Sequence, residues 1–181
     1  MDPSPWVVRF ANLVSDRGHV LDIACGHGRH TRLFLARGHR VVAVDRELEG
    51  LADLAEHTRL ERVEADLENE TPFALEGRRF AAVIVTNYLH RPLMPALVAA
   101  VDSDGVLVYE TFAAGNERFG RPRNPDFLLR SGELLDAVRG HLRVIAYEDL
   151  IVDKPHPAAV QRICAVGPNH TVPTPPAAPE S

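Results

Sequence analysis

Apolar and polar positions along the chain alternate between the period of strands and the period of helices. HVLDIA (19–24) is apolar and β-branched, the pattern of a strand buried on both faces. From Gly28 to Arg37 the apolar Leu33, Phe34 and Ala36 stand among Arg29, Arg32 and Arg37, and Gly38 follows. That predicts an amphipathic helix with a glycine stop. HRVVAVD (39–45) is a second buried strand, and Leu48, Leu51, Ala52 and Ala55 give a following helix its apolar stripe. LERVEAD (60–66) is a third strand, weakened by interleaved charges, and a connection through Pro72 and Gly77 leads to a strong fourth, FAAVIVTN (80–87). PLMPALVAAV (92–101) is a helix with a proline start, Ser103-Asp104-Gly105 a turn, and GVLVYETF (105–112) the fifth strand. ELLDAV (133–138) predicts a helix, RVIAYEDL (143–150) and AVQRICAV (159–166) the last strands, and 6–14 a short amphipathic helix ahead of them all.

Strands alternating with helices imply right-handed crossovers and a mostly parallel sheet covered on both faces, a three-layer α/β sandwich. Residues 152–158 are too few for a helical crossover, so the last two strands pair as an antiparallel hairpin at one edge. One domain over 1–166 accounts for the pattern, and the chain of 181 residues is long enough to bury a substantial core. The stretch GPNHTVPTPPAAPES (167–181) is proline-rich and aperiodic, which predicts a disordered tail.

Charge and cysteine content narrow the partners. A net charge of −5 gives no basic footprint and disfavours nucleic acid held through its phosphates. Cys25 and Cys164 lie far apart and form no C-x-x-C pair, and the nine histidines are scattered, so neither a disulfide framework nor a metal site is expected. MDPSPWVVRF lacks a signal-peptide pattern and no run reaches membrane-spanning length. A cytoplasmic protein without membrane association is expected, as monomer or homodimer.

The chemistry concentrates at the first turn. In an open α/β sheet, ligands bind outside the carboxyl ends of the strands where the strand order reverses. The turn Ala24-Cys25-Gly26-His27-Gly28 belongs there, its glycines letting backbone approach a ligand. Asp45, ending the second strand, is placed to accept hydrogen bonds from both hydroxyls of a ribose. A dinucleotide site needs G-x-G-x-x-G, but Thr31 stands at the third glycine position. The pattern is instead D-x-A-x-G-x-G from Asp22, which suits a cofactor without phosphates.

VLDIACGHGRHTRLFLARGHRVVAVD resembles the cofactor motif of class I S-adenosylmethionine (SAM)-dependent methyltransferases, and among them the small bacterial tellurite-resistance type. The resemblance spans roughly residues 19 to 150 and implies a Rossmann-like fold with a seven-stranded sheet and SAM as cofactor. It implies that Asp22, Ala24, Cys25, Gly26 and Gly28 surround the methionine part and that Asp45, with Arg46 beside it, holds the ribose. Asp66 matches the acceptor of the adenine amino group, with Leu67 against the ring, and Asn87, Tyr88 and Leu89 match the segment lining cofactor and acceptor. Ala24 stands where such proteins often have glycine.

Methyl transfer from a sulfonium needs alignment and exclusion of water, and a base only when the acceptor arrives protonated. His90, with Tyr88 beside it, is the candidate for that role. Cys25 reads as a packing residue, while His27 and His30 read either as donors to a carboxylate or as surface histidines. The long segment 112–129 lacks a regular period, which marks it as a substrate-covering loop. Phe112, Phe119 and Phe127 would anchor it, and Asn116, Glu117 and Arg121, with Arg118 and Arg123, would meet the acceptor. The expected activity is methyl transfer to a small-molecule acceptor; an RNA or protein methyltransferase and a non-catalytic SAM-binding protein remain open alternatives.

Overall fold

A computed structural model describes residues 2–16, 18–69, 77–153 and 156–171. Seven strands, β1 (His19–Ile23), β2 (Arg40–Asp45), β3 (Leu60–Glu64), β4 (Phe80–Thr86), β5 (Val101–Phe112), β6 (Arg143–Val152) and β7 (Ala158–Val166), form one sheet ordered β3-β2-β1-β4-β5-β7-β6. The first five run parallel, and β7 lies antiparallel between β5 and β6. This is the mostly parallel α/β sandwich with a terminal hairpin that the sequence predicts.

Side chains leave a strand alternately to its two faces, and the sheet divides accordingly. Leu21, Ile23, Val83, Val85 and Leu107 pack beneath α3 (Met94–Ala99) and α4 (Glu133–Val138). Val20, Ile84, Val106 and Val108 pack beneath α1 (Pro5–Phe10) and α2 (Arg29–Ala36). Helix α1 starts where it does because the Ser4 hydroxyl accepts the Trp6 amide and Pro5 occupies the first turn. Trp6 is buried, with its indole N–H donating to the Ile163 carbonyl at 3.2 Å, so the N-terminal segment is bolted to β7.

Four expectations are corrected. The helix expected around Leu48–Ala55 is a 3₁₀ turn, Glu49–Leu54, in which Leu51 is buried while Ala52 and Ala55 are exposed. With one buried side chain and a glycine inside, the segment has too little apolar face to hold an α-helix. The helix at 92–101 divides into a 3₁₀ turn, Arg91–Leu93, and α3. The turn expected at Ser103-Asp104-Gly105 lies within β5 as an irregularity, where pairing moves from Phe80 with Val101 to Ala82 with Val106. The helix expected over 6–14 ends at Phe10 and continues as a 3₁₀ turn, Ala11–Leu13.

The expected tail begins as ordered chain: the amides of Gly167 and Asn169 donate to the carbonyls of Gly105 and Ser103, and the His170 ring meets the Leu13 carbonyl at 2.9 Å. The rest of that expectation, and the connection through Pro72, lie outside the described residues.

Candidate active site at the carboxyl edge of the sheet

Strand order reverses between β1 and β4, so the crevice outside their carboxyl ends is the switch point where α/β sheets bind ligands. The turn after β1, the end of β2 and the end of β4 converge there. Gly26 (φ +53°) donates its amide to Asp45 Oδ2 at 2.8 Å, and the Glu47 amide donates to Oδ1 at 3.2 Å. Backbone amides therefore fix the carboxylate while leaving further lone pairs for a ligand. Among the described residues nothing lies within 4 Å of the point where a Cβ on Gly26 would stand, so the loop opens onto free space. Gly28 (φ +72°) leads into α2, and a Cβ there would come within 2.1 Å of Leu51 Cδ2. Ala24 holds φ +51°, a left-handed conformation costly for a residue with a Cβ.

Asp22 lies under α2, 2 % exposed, and accepts the Thr31 hydroxyl proton at 2.6 Å. Burial raises its carboxyl to about 6 against the opposing pull of the Thr31 hydrogen bond. Thr31, the residue that breaks the dinucleotide pattern, is thus the partner of a buried acid. Cys25 is buried, and desolvation, then the charges of Asp22 and Asp45, push its thiol far above the usual range, which makes it the packing residue expected.

Tyr88 is half-buried, but its hydroxyl is shielded from solvent and has no hydrogen-bond partner among the described residues. Burial raises its phenol, and Glu68, Asp66 and Asp45 raise it further. Those three acids place the ring on the side of Asp45 and Asp66, and a phenol held neutral there is a donor, not a base. Asp66 is exposed, with Oδ1 taking the Glu68 amide at 3.0 Å; Leu67 is half-buried and Leu89 is sunk in the core. Asn87 (φ +55°) continues the ladder by donating its amide to the Glu110 carbonyl, and the Tyr109 hydroxyl donates to the Tyr88 carbonyl at 3.0 Å. His90 is half-buried, and Arg46 is exposed beside Glu47.

The segment 112–129 is tied at its base. Ala113 bridges Leu129, the Ala114 amide donates to the Leu129 carbonyl, and Leu128 and Leu129 are buried. Asn116 is 1 % exposed, accepting the Ala159 amide and donating to the Pro122 carbonyl, so it is a structural tie rather than an acceptor contact. Phe119 and Phe127 are exposed, at 40 % and 45 %, which overturns their role as anchors; the aliphatic pair supplies it. Phe112 is half-buried, the Glu117 carboxylate accepts the Gly115 amide, and Arg121 is exposed. Arg91 clasps the far end, donating to the carbonyls of Asp126 and Leu128 and pairing with Glu133 at 2.6 Å.

Sequence reasoning missed three contributors. Gly50 brings its turn against the glycine loop, where a Cβ would stand 2.7 Å from His27 Cα. Arg91, the residue before Pro92, finds its partners Asp126 and Glu133 far along the chain, beyond the reach of local spacing. His30 is buried instead of being a surface residue, and it meets Ser4 and Thr86, whose hydroxyl oxygen also accepts from Arg29; no local signal announces that junction. His27 is exposed. A separate cavity of about 650 Å³ lies at the opposite edge of the sheet, among Met94, Pro95, Val98, Val101 and Leu142, and no predicted site residue lines it.

The methyltransferase-domain family matches residues 20–103, which run from β1 into the start of β5. Solved structures share the fold of this chain. TehB from Haemophilus influenzae superposes with a TM-score of 0.70 at 17% identity, covering 89% of this chain and 61% of its own. The 1,6-didemethyltoxoflavin-N1-methyltransferase of Burkholderia thailandensis, solved with 1,6-didemethyltoxoflavin and S-adenosylhomocysteine (SAH), gives 0.66 at 23%, covering 90% and 76%. The glycopeptide N-methyltransferase MtfA, solved with SAH, gives 0.62 at 21%, covering 93% and 91%. Thus the chain spans about three-fifths of the length of that TehB structure. No curated protein sequence matches it. No helix among the described residues is long and apolar enough to cross a membrane.

Proposed function

We propose that this protein transfers a methyl group from SAM to a small polar or anionic acceptor in the crevice above β1, β2 and β4. The observation that carries the reading is the clasp between the Gly26 amide and Asp45, which presents a fixed carboxylate at the switch point of a methyltransferase domain. The residues fit the cofactor: Asp45 retains acceptor capacity for two ribose hydroxyls, Gly26 opens onto free space, and the shielded Tyr88 hydroxyl lacks, among the described residues, a partner that a bound nucleoside would supply.

SAM supplies an electrophilic methyl on a sulfonium whose departure leaves a neutral thioether. The protein's part is alignment and exclusion of water. Ala24, Gly26 and Gly28 shape the floor under the methionine portion, while Asp45 fixes the ribose. Asp66 takes the adenine amino group, Leu67 flanks the ring, and Tyr88 donates from the wall. His90 removes a proton where the acceptor carries one. The tip of 112–129, held at its base by Leu128 and Leu129 and at its end by Arg91, covers the acceptor. Two buried cysteines without a disulfide accord with a cytoplasmic setting.

An acceptor screen with SAM and pooled small metabolites, read by SAH formation, tests the activity. SAH produced with one acceptor class is the expected result. Binding of SAM with no methyl leaving it under any condition would make the protein a non-catalytic SAM-binding protein.

A further inference from the structure

The two edges of the sheet are built differently. At one edge β3 is five residues long and carries Glu61, Arg62 and Glu64, the short charged strand that keeps an edge from pairing with another chain. At the other edge β6 runs for ten residues, and no described strand lies beyond it. Val144, Leu150 and Ile151 stand 39 %, 38 % and 52 % exposed along it. Among the described residues these are three of the six large apolar side chains left exposed, Val8, Phe119 and Phe127 lying elsewhere. Apolar side chains gathered on a long open edge mark a pairing surface.

Pairing with β7 fixes where these side chains point. Val144 lies opposite Ala165, which packs on the face covered by α3 and α4, and Ile151 lies opposite Ala159, which shares that face by alternation along β7. In an unbroken strand Val144 and Ile151, seven residues apart, would point to opposite faces. The register shift between Val144 and Ala146 adds one residue, Ile145, and brings the two to the same face. Leu150, opposite Val160, takes the other face together with Ala146, opposite Cys164. The polar positions between them are already engaged. Glu148 accepts from Arg162 at 2.8 Å and faces Arg9 at 3.5 Å, and the Tyr147 hydroxyl donates to Asp149 at 3.4 Å.

We propose that two copies of this chain pair antiparallel along β6, about a two-fold axis through Glu148 and normal to the sheet, so that one sheet runs through both copies. In that register Ile151 meets the partner's Val144, and Leu150 meets the step from Ile145 to Ala146, each contact occurring twice. Tyr147 meets the partner's Asp149, and Arg143 reaches the strand end that carries Asp153, so the polar positions also match. Glu148 meets its own copy on the axis, where Arg162 and Arg9 offset the two carboxylates. An axis through Tyr147 instead sets Asp149 against Val144 and Arg143 against Leu150, which buries charge on apolar groups. The chain's own VPTPPAAPES (172–181) is a poor occupant of the edge, because its four prolines have no N–H for a ladder. Strands β5 and β7 stand between β4 and the paired strands, so the crevice above β1, β2 and β4 stays open in both copies, whatever it binds.

Sedimentation velocity of the full chain over a concentration series tests the interface. Wild type is expected to pass from the 20.0 kDa of one chain to twice that mass, reaching the dimer by about 100 μM. Ile151→Lys and Val144→Glu each place two unpaired charges in the contact and should weaken the dimer by about 100-fold or more. The double variant Val144→Glu/Ile151→Lys sets opposite charges against each other across the axis and should regain at least about tenfold of that loss. Val8→Lys, which charges an exposed apolar position on α1, should leave the dimer unchanged. All three positions are exposed in the single chain, so each variant should melt like dilute wild type. A monomer at every concentration overturns the proposal, and slow amide exchange along β6 in that monomer would show another segment of the chain on the edge. A dimer that neither single charge weakens overturns it too, by placing the contact elsewhere. Failure of the double variant to regain affinity overturns the register.

Discussion

The amide of Gly26 and the carboxylate of Asp45, 2.8 Å apart, join the loop after β1 to the end of β2. Gly26 holds a left-handed backbone, and no described residue comes within 4 Å of the point where its Cβ would stand. Gly26→Ala therefore clashes with none of the described residues and loses only about 1–2 kcal/mol to backbone strain. The same methyl group enters the space proposed for the cofactor. Urea denaturation should show that modest loss, while SAH affinity falls by about tenfold or more; a fall in stability without a fall in affinity would place the ligand elsewhere.

Gly50 acts from the other side of the loop. A Cβ there would meet His27 Cα at 2.7 Å and the Gly26 carbonyl at 3.0 Å, both backbone atoms that cannot rotate away. Gly50→Ala is expected to cost about 1–3 kcal/mol by overpacking. It should also weaken SAH by displacing the loop. Thermal denaturation with and without SAH measures both effects, and an unchanged melting temperature would contradict the contact.

Asp22 and His30 give the domain two opposed pH responses. Burial raises the Asp22 carboxyl from 3.8 to about 6, so its contribution to stability is full below 3.8 and is lost as pH rises through 6. Burial, aided by Arg29, lowers His30 from 6.5 to about 4, so its contribution is full above 6.5 and is lost as pH falls through 4. Between pH 4 and 6 the two largely offset. Asp22→Asn keeps an acceptor for the Thr31 hydroxyl and removes one side of the balance. The variant should exceed wild type at pH 7.5 by on the order of 1–3 kcal/mol, with the advantage gone near pH 4. An advantage of equal size at both pH values would sink this assignment.

Asn116 ties the base of 112–129 to β7 through the Ala159 amide and to its own loop through the Pro122 carbonyl. Asn116→Ala leaves buried polar groups unpaired, at a cost of about 1–3 kcal/mol. Amide exchange should rise across the loop base, whereas exposed Arg121→Ala leaves exchange there unchanged. Slow exchange retained in Asn116→Ala would show that the tie is dispensable.

The parts of the fold legible in sequence were those written in local periodicity. VVAV in β2 and AAVIV in β4 are buried almost completely, and the short 152–158 connection forced the antiparallel hairpin. Asp45 and the glycine turn were legible because strand ends in such sheets converge. Long-range partners were not: Ser4 reaches Glu110 and His30, and Asn116 reaches Ala159, through contacts that no spacing encodes. The aromatic residues of 112–129 misled for a related reason. Phe119 and Phe127 look like anchors by composition, yet the bridge between Ala113 and Leu129 turns Leu128 and Leu129 inward instead.

The central claim is that Asp45 holds the ribose of SAM at the switch point. Calorimetric titration of SAH into wild type and Asp45→Ala, with NADH as the competing nucleotide, tests it directly. The account predicts that wild type binds SAH, that NADH gives no heat, and that Asp45→Ala loses about tenfold or more in affinity. Binding of NADH without a response to SAH, or equal SAH affinity in the two proteins, would contradict it.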